Sequence, residues 1–285
     1  MDKRLDHTNA LSMSVHPISA DDSGETGSFA ALLRRFRSAR RMSQMDLALE
    51  CDVSARHVSF LESGRAQPSR EMVLQLASGL VLPRSARNLL LQSAGFVPAF
   101  PRSPLESDAL GPFRDVLAEM IARHSPYPAL LCDRHWNVRD ANRTARALLA
   151  PLQGPGGAPN VVRLLTGNPQ VSDLIANLPE VLDDMLGRIQ LEALEAVGDP
   201  VLDDLLRSLE AACARLPHKS PSPVRRPLSP LLLNSPAGPL SFLSTIAHFG
   251  TSEDVTVRDL RLELLFPTDA RTREAMAAIA AEPGD

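Results

Sequence analysis

Arg56 and His57 open the helical stretch in S-A-R-H-V-S-F-L-E-S-G-R, Ser54 to Arg65, whose apolar residues Val58 and Leu61 are three apart. Helical periodicity puts Val58 and Leu61 on one buried face and leaves Ala55, Arg56, Ser59 and Glu62 around the other. A guanidinium at the second helical position points out of the N-terminal end, and its fork matches the O6 and N7 acceptors of guanine. His57 and Ser59 can donate or accept at a base edge or a phosphate. Phe60 can pack on a thymine methyl, while Ala55 reads little by itself. This is chemistry of recognition rather than of bond-making.

Bond-making signals are missing elsewhere. The seven histidines are scattered, H-E-x-x-H does not occur, and His135 and His248 have no companion at ligand spacing, so no metal site is expected. Cys51, Cys132 and Cys213 lie far apart and form no C-x-x-C, which argues against a disulfide framework or a zinc ribbon and points to a reducing cytoplasm. The G-P-G-G run at Gly154 to Gly157 lacks the lysine and helix of a phosphate loop. Asp183-Asp184 and Asp203-Asp204 fall on expected helix surfaces, where solvated charge is the ordinary state. No catalytic residue and no cofactor is expected, although a triad gathered from distant segments would leave no local signature. Aromatic residues are too few, and too little interleaved with basic ones, for single-stranded RNA recognition by stacking.

The elements that would present Arg56 are well bounded. Ser54 is an N-cap and Gly64 a left-handed stop. Upstream, S-Q-M-D-L-A-L-E-C-D-V, Ser43 to Val53, starts with Ser43 and Asp46 at capping-box spacing and turns Leu47 and Ala48 inward. Only Cys51-Asp52-Val53 separates the two helices, enough for the sharp crossing of a helix-turn-helix, with Asp52 tolerating left-handed backbone and small Ala48 allowing close approach.

The pattern S-Q-x-x-L-A-x-x-x-D-V-S-x-x-x-V-S-x-L-E-S-G-R-x-x-P-S resembles the Xre/Cro-like helix-turn-helix of bacterial repressors. The resemblance implies five helices, Phe29–Arg41, Gln44–Glu50, Ala55–Ser63, Arg70–Gly79 and Arg84–Ala94, with the third in the major groove. It also implies a phosphate clamp at Gln44, where side chain and helix dipole converge on one oxygen. Arg65, Ser69 and Arg70 are further phosphate candidates. Residues 29–71 hold eight arginines against five carboxylates, five of them in R-R-F-R-S-A-R-R, inside a chain of net charge −4. An electrostatic footprint is therefore expected on this module alone.

At 285 residues the chain is long enough for two cores, and no apolar run approaches a membrane span or a signal-peptide core. Residues 1–28 read as a disordered arm, 29–95 as the DNA-binding domain, 96–124 as linker and connecting helix, and 125–281 as a second domain. The proline-rich connection Gly95 to Pro104 carries two phenylalanines and is expected to dock; His218 to Pro230 is expected to be a loop between a helical and a strand part.

The second domain begins with a hairpin around Asp133 to His135, P-A-L-L-C-D-R-H-W-N-V-R-D-A-N. Helices follow at Arg143–Leu149, Val161–Leu165, Val171–Ala176, Leu178–Ala196 and Val201–Leu216. Strands then return at Leu231–Asn234, Leu240–Phe249 and Val255–Phe266. This is an α+β order, a five-stranded antiparallel sheet with a helical insertion, as in PAS-like domains. The segments D-R-H-W-N-V-x-x-A-N, N-V-V-R-L-L, N-L-P-E-V and F-G-T-x-x-D-V-T-V-x-x-L-x-x-E-L-x-F-P resemble the MmyB-like ligand-binding domain.

Such a sheet encloses a small space against its helices, where a ligand can sit. Trp136, Leu178, Met185, Phe242 and Phe249 are candidate wall residues, though each type is more often core filler. Arg163 in V-V-R-L-L would need a partner: Glu180 or Asp183, or the carboxylate of a fatty-acid-like effector. The expected partners are double-stranded operator DNA, a small apolar ligand and a second copy of the chain in a homodimer, with no membrane. The rival reading keeps the DNA-binding module and makes the second domain a filled protein-interaction or dimerisation unit.

Overall fold

The computed structural model describes residues 28–152, 159–196, 198–216, 230–236, 238–250 and 252–281. The expected arm, except Ser28, the G-P-G-G run and nearly all of the His218–Pro230 loop lie outside the described residues.

Five helices form the N-terminal part: α1 (Phe29–Ala39), α2 (Gln44–Glu50), α3 (Ala55–Glu62), α4 (Arg70–Gly79) and α5 (Arg84–Ser93). Their starts are set locally. Ser28, Ser43, Ser54 and Ser69 each accept a backbone N–H of the following helix through Oγ, and the Ser43–Asp46 capping box is complete in both directions. Asp52 has φ +48° and Gly64 φ +71°, the left-handed corners that stop α2 and α3. One core collects Leu33, Phe36, Leu47, Ala48, Val58, Leu61, Val73, Leu76 and Leu90.

The connection after α5 is docked. Asn88 Oδ1 accepts from the backbone N–H groups of Ala99 and Phe100, its Nδ2 donates to the Phe100 carbonyl, and Asp254 accepts from Ser103 N. Helix α6 (Gly111–Arg123) leads into the second part. Strands β1 (Ala129–Cys132), β2 (Val138–Ala141), β3 (Leu231–Ser235), β4 (Gly238–His248) and β5 (Arg261–Pro267) make one antiparallel sheet in the order β2-β1-β5-β4-β3. Between β2 and β3 run α7 (Arg143–Leu149), α8 (Val161–Gly167), α9 (Val171–Leu174), α10 (Leu178–Glu195) and α11 (Pro200–Arg215); α12 (Val255–Asp259) precedes β5, and α13 (Ala270–Ala281) follows it. Among the described residues no helix is long and apolar enough to cross a membrane.

Both faces of the central strands are covered, which is why β1 reads A-L-L-C without alternation. Helices α8 to α11 and α13 pack with Trp136, Phe242 and Leu265 over one face. On the other, Leu117 and Ile121 of α6 meet Leu131, Leu260 and Leu262.

One expected strand is corrected. Val255–Phe266 is not continuous: its first turn is α12, capped by Asp254, whose Oδ1 accepts from Thr256 N. The apolar spacing holds the signal, because Val255, Val257 and Leu260 break the period of two between 257 and 260.

Candidate functional site

Helix α3 presents Arg56 as its periodicity requires. Val58 and Leu61 are fully buried, Ser54 Oγ accepts from His57 N at 3.1 Å, and Arg56 stands exposed on the first turn. Its Cζ lies 5.1 Å from the centre of the Phe60 ring, one helical turn on. The half-buried ring is thus a platform that holds the guanidinium, a cation–π pair at the i,i+4 spacing. Sequence reasoning assigned Phe60 to a thymine methyl and missed this pairing, although the spacing carried it. Ala55, His57 and Ser59 are half-buried beside it.

Glu62, expected on the exposed side, is buried and organises the underside of α3. Arg37 Nε donates to its Oε1 at 2.6 Å and Nη2 to its Oε2 at 2.9 Å; Gln44 Nε2 donates to Oε2 at 2.8 Å; Arg34 Nη2 reaches the Glu62 carbonyl at 3.1 Å. Burial alone would push the Glu62 carboxyl up, but Arg37 and Gln44 hold it below the usual glutamate range. Gln44 therefore has one amide N–H engaged by Glu62, and its second amide N–H meets no acceptor among the described residues.

The other phosphate candidates differ in freedom. Arg65 is exposed on the turn after α3. Ser69 Oγ caps α4 by accepting from Met72 N, and Arg70 Nη1 donates to the Val97 carbonyl at 2.5 Å. The arginine cluster is largely committed within the fold. Arg37 is bound to Glu62, Arg35 meets Asp203 of α11 at 3.3 Å, and Arg40 donates to the Val81 carbonyl at 3.0 Å. Exposed Arg41, at φ +55° on the turn after α1, meets no carboxylate among the described residues.

Where the two parts meet, the hairpin D-R-H-W-N forms a polar knot. Asp133 Oδ1 accepts from the backbones of His135 and Asn137, which folds the tip and leaves Trp136 at φ +64°. That conformation costs a bulky residue about 1–3 kcal/mol, so the surroundings must impose it. They do: Trp136 is fully buried, its Nε1 donates to Glu192 Oε2 at 3.0 Å, and Arg261 lies 4.6 Å over its ring. Arg261 in turn donates to Glu192 Oε1 at 2.7 Å. Arg134 and His135 both meet Asp199, at 2.7 and 2.9 Å. Burial would raise the Asp199 carboxyl, but His135 and Arg134 outweigh it and hold the group down at about 2. Asp259 lies within 3.8 Å of Arg134 and 3.3 Å of Arg102, yet burial pushes its carboxyl up.

The residues expected to wall a ligand space divide. Trp136, Leu178, Met185 and Phe242 meet in one packed core. Phe249 does not join them: it lies on the opposite face of the sheet, edge-on to Phe113 at 5.1 Å. Parity explains the separation, since Phe249 directly follows β4 and lies an odd number of residues, seven, beyond Phe242, which turns it to the opposite side. The Arg163 expectation is corrected as well. On α8, Val162 and Leu165 turn inward, so Arg163 turns outward and pairs with Asp204 at 2.8 Å, not with Glu180 or Asp183. Reading V-V-R-L-L as a linear apolar setting hid the helical period.

Two concavities border the domain. One of about 380 Å3 lies beside β3, lined by Leu232, Leu233, Leu240 and Arg271. Another of about 200 Å3 lies at the junction, with Arg84 of α5 on one side and Arg134, Arg258 and Arg261 on the other. Neither is lined by any of the six residues expected to hold a ligand.

Comparison with known families places both parts. Residues 28–90 match the family described as helix-turn-helix domain, and residues 113–279 match the MmyB-like transcription regulator ligand binding domain. The second match spans more than half of the chain. No curated protein matches the chain.

Proposed function

The chain belongs to the MmyB-like transcription regulator ligand-binding-domain family, and from that premise we propose a sequence-specific DNA-binding regulator of the Xre type, working in the cytoplasm without catalysis. The observation that carries the reading is Arg56, exposed at the start of a capped helix whose opposite face is fully buried, and held over Phe60. In this account Arg56 reads a guanine edge, helped by His57, Ser59, Phe60 and the close approach of Ala55. Gln44, Arg65, Ser69 and Arg70 fix the module on phosphates. Two copies bind a two-fold operator as a homodimer.

The second domain, of PAS-like strand order, senses a small apolar, fatty-acid-like effector between sheet and helices, near Trp136, Leu178, Met185 and Phe242. A specific observation also supports the rival reading: these four side chains are buried against one another as an ordinary core is. In that reading the domain has no small ligand and serves dimerisation or protein contact. Native mass spectrometry of the protein as purified, with melting curves across a panel of fatty acids, separates the two. A bound or stabilising fatty acid that also shifts operator affinity supports the sensor. Ligand-free protein with an unchanged melting temperature across the panel removes it.

A further inference from the structure

The junction cavity gathers charge that the fold does not use up. Arg84 enters from the first turn of α5, Arg134 from the hairpin tip, Arg258 from α12 and Arg261 from the start of β5, and the same cavity exposes Glu192 and Asp259. The lining thus holds four guanidinium groups against two carboxylates, with His248 beside them. Several of these cations are already paired. Arg84 donates to Glu253 at 2.6 Å, Arg134 meets Asp199, and Arg261 meets Glu192.

Two of them retain unused donors. Arg258 is half-buried, donates to the Gly250 carbonyl at 2.5 Å, and meets no carboxylate among the described residues. Arg261 has a buried side chain whose Nε finds no hydrogen-bond partner. Buried guanidinium donors without acceptors are costly, and a planar fork prefers a bidentate carboxylate. Apart from Ser85, the rest of the lining is apolar, with Pro83, Ala196, Leu202 and Val255.

We propose that this cavity binds a small carboxylate with an apolar body, held by Arg258 and Arg261 and closed over by Arg84. The volume of about 200 Å3 is below the roughly 300 Å3 at which drug-sized sites begin, so the ligand is of metabolite size rather than a long acyl chain. Glu192 and Asp259 disfavour a dianion such as phosphate, and the apolar wall favours a hydrocarbon body. Because one wall belongs to α5 and the others to the second domain, the bound anion ties the DNA-binding part to its neighbour. That consequence rests on the regulator reading above, whereas the site itself rests on side-chain chemistry alone. By linkage, an anion that binds one placement of the two parts changes operator affinity only if operator DNA prefers that placement or another.

Trp136 is the only tryptophan in the sequence and lies under Arg261, so its fluorescence reports the site. The experiment titrates the full chain with cyclohexanecarboxylate, neutral cyclohexylmethanol and inorganic phosphate, in parallel with operator binding. Expected are a saturable fluorescence change with the carboxylate, little with the alcohol or phosphate, and affinity at least tenfold weaker in Arg258→Gln. Arg84→Gln, which alters the opposite wall, gives the same direction if Arg258→Gln fails to fold. No response to the carboxylate, an equal response to the alcohol, or undiminished binding in the folded variants overturns the proposal. Operator binding without an anion response sinks the cavity and leaves the regulator reading intact; an anion response without operator binding does the reverse.

Discussion

Replacing Glu62 by alanine should loosen the DNA-binding part more than any surface change. The side chain is fully buried, and it accepts two bonds from Arg37 and one from Gln44. Its removal leaves the Arg37 guanidinium, itself only 14 % exposed, with the Met42 carbonyl as its remaining partner. Breaking a buried pair from one side costs about 3–5 kcal/mol. Arg37 lies near enough to the surface to recover some hydration, so about 3 kcal/mol is the expected loss. For a helical unit of this size, each kcal/mol moves the melting midpoint by about 4–8 °C, which gives a fall of about 12–24 °C. Circular dichroism at the helical band follows the whole chain, whereas Trp136 fluorescence follows only the second domain, so the two together locate the loss. The double variant with Arg37→Ala should lose less than the sum of the two single changes. A shift in Glu62→Ala of under about 4 °C, or strict additivity with Arg37→Ala, would refute the idea that this buried pair holds α1, α2 and α3 together.

Arg56→Ala should weaken operator binding by about 1–3 kcal/mol while scarcely changing affinity for random duplex, measured by paired titrations of the two DNAs. Gly79→Ala should destabilise the helical part by about 1–3 kcal/mol in chemical denaturation, because the added Cβ would lie 2.4 Å from Cys51 Sγ. The lowered Asp199 carboxyl contributes stability that is complete above the unfolded carboxylate range near pH 4 and is lost as pH falls towards about 2. Allowing for solvent screening, this contribution is about 1–2 kcal/mol, and it should be missing from the acid melting curves of Asp199→Asn.

What could be read from the sequence was what is decided locally. The capping box at Ser43 and Asp46, the left-handed corners at Asp52 and Gly64, and the buried stripe of Val58 and Leu61 each depend on a few neighbours. The fate of charges was not local. Arg35 and Arg37 lie two apart in one basic run, yet one meets Asp203 of the second domain and the other a buried glutamate. Likewise Arg134 stood in a quoted motif without a role and Trp136 was expected only on a ligand wall, because their partners Asp199, Glu192 and Arg261 come from 65, 56 and 125 residues away. Some misplacements were avoidable from period alone. Parity separates Phe242 from Phe249, a helical turn sends Arg163 outward, and the spacing from Val257 to Leu260 marks the end of α12.

The central claim is that α3 reads DNA sequence through its exposed first turn. Selection of duplexes from a random library by the full chain, followed by titration of the enriched duplex and its scrambled counterpart at one fixed salt concentration, tests it most directly. The account predicts a preference on the order of a thousandfold or more for the enriched duplex, with affinity for both falling as salt rises. Equal affinity for the two duplexes at that salt concentration would contradict it.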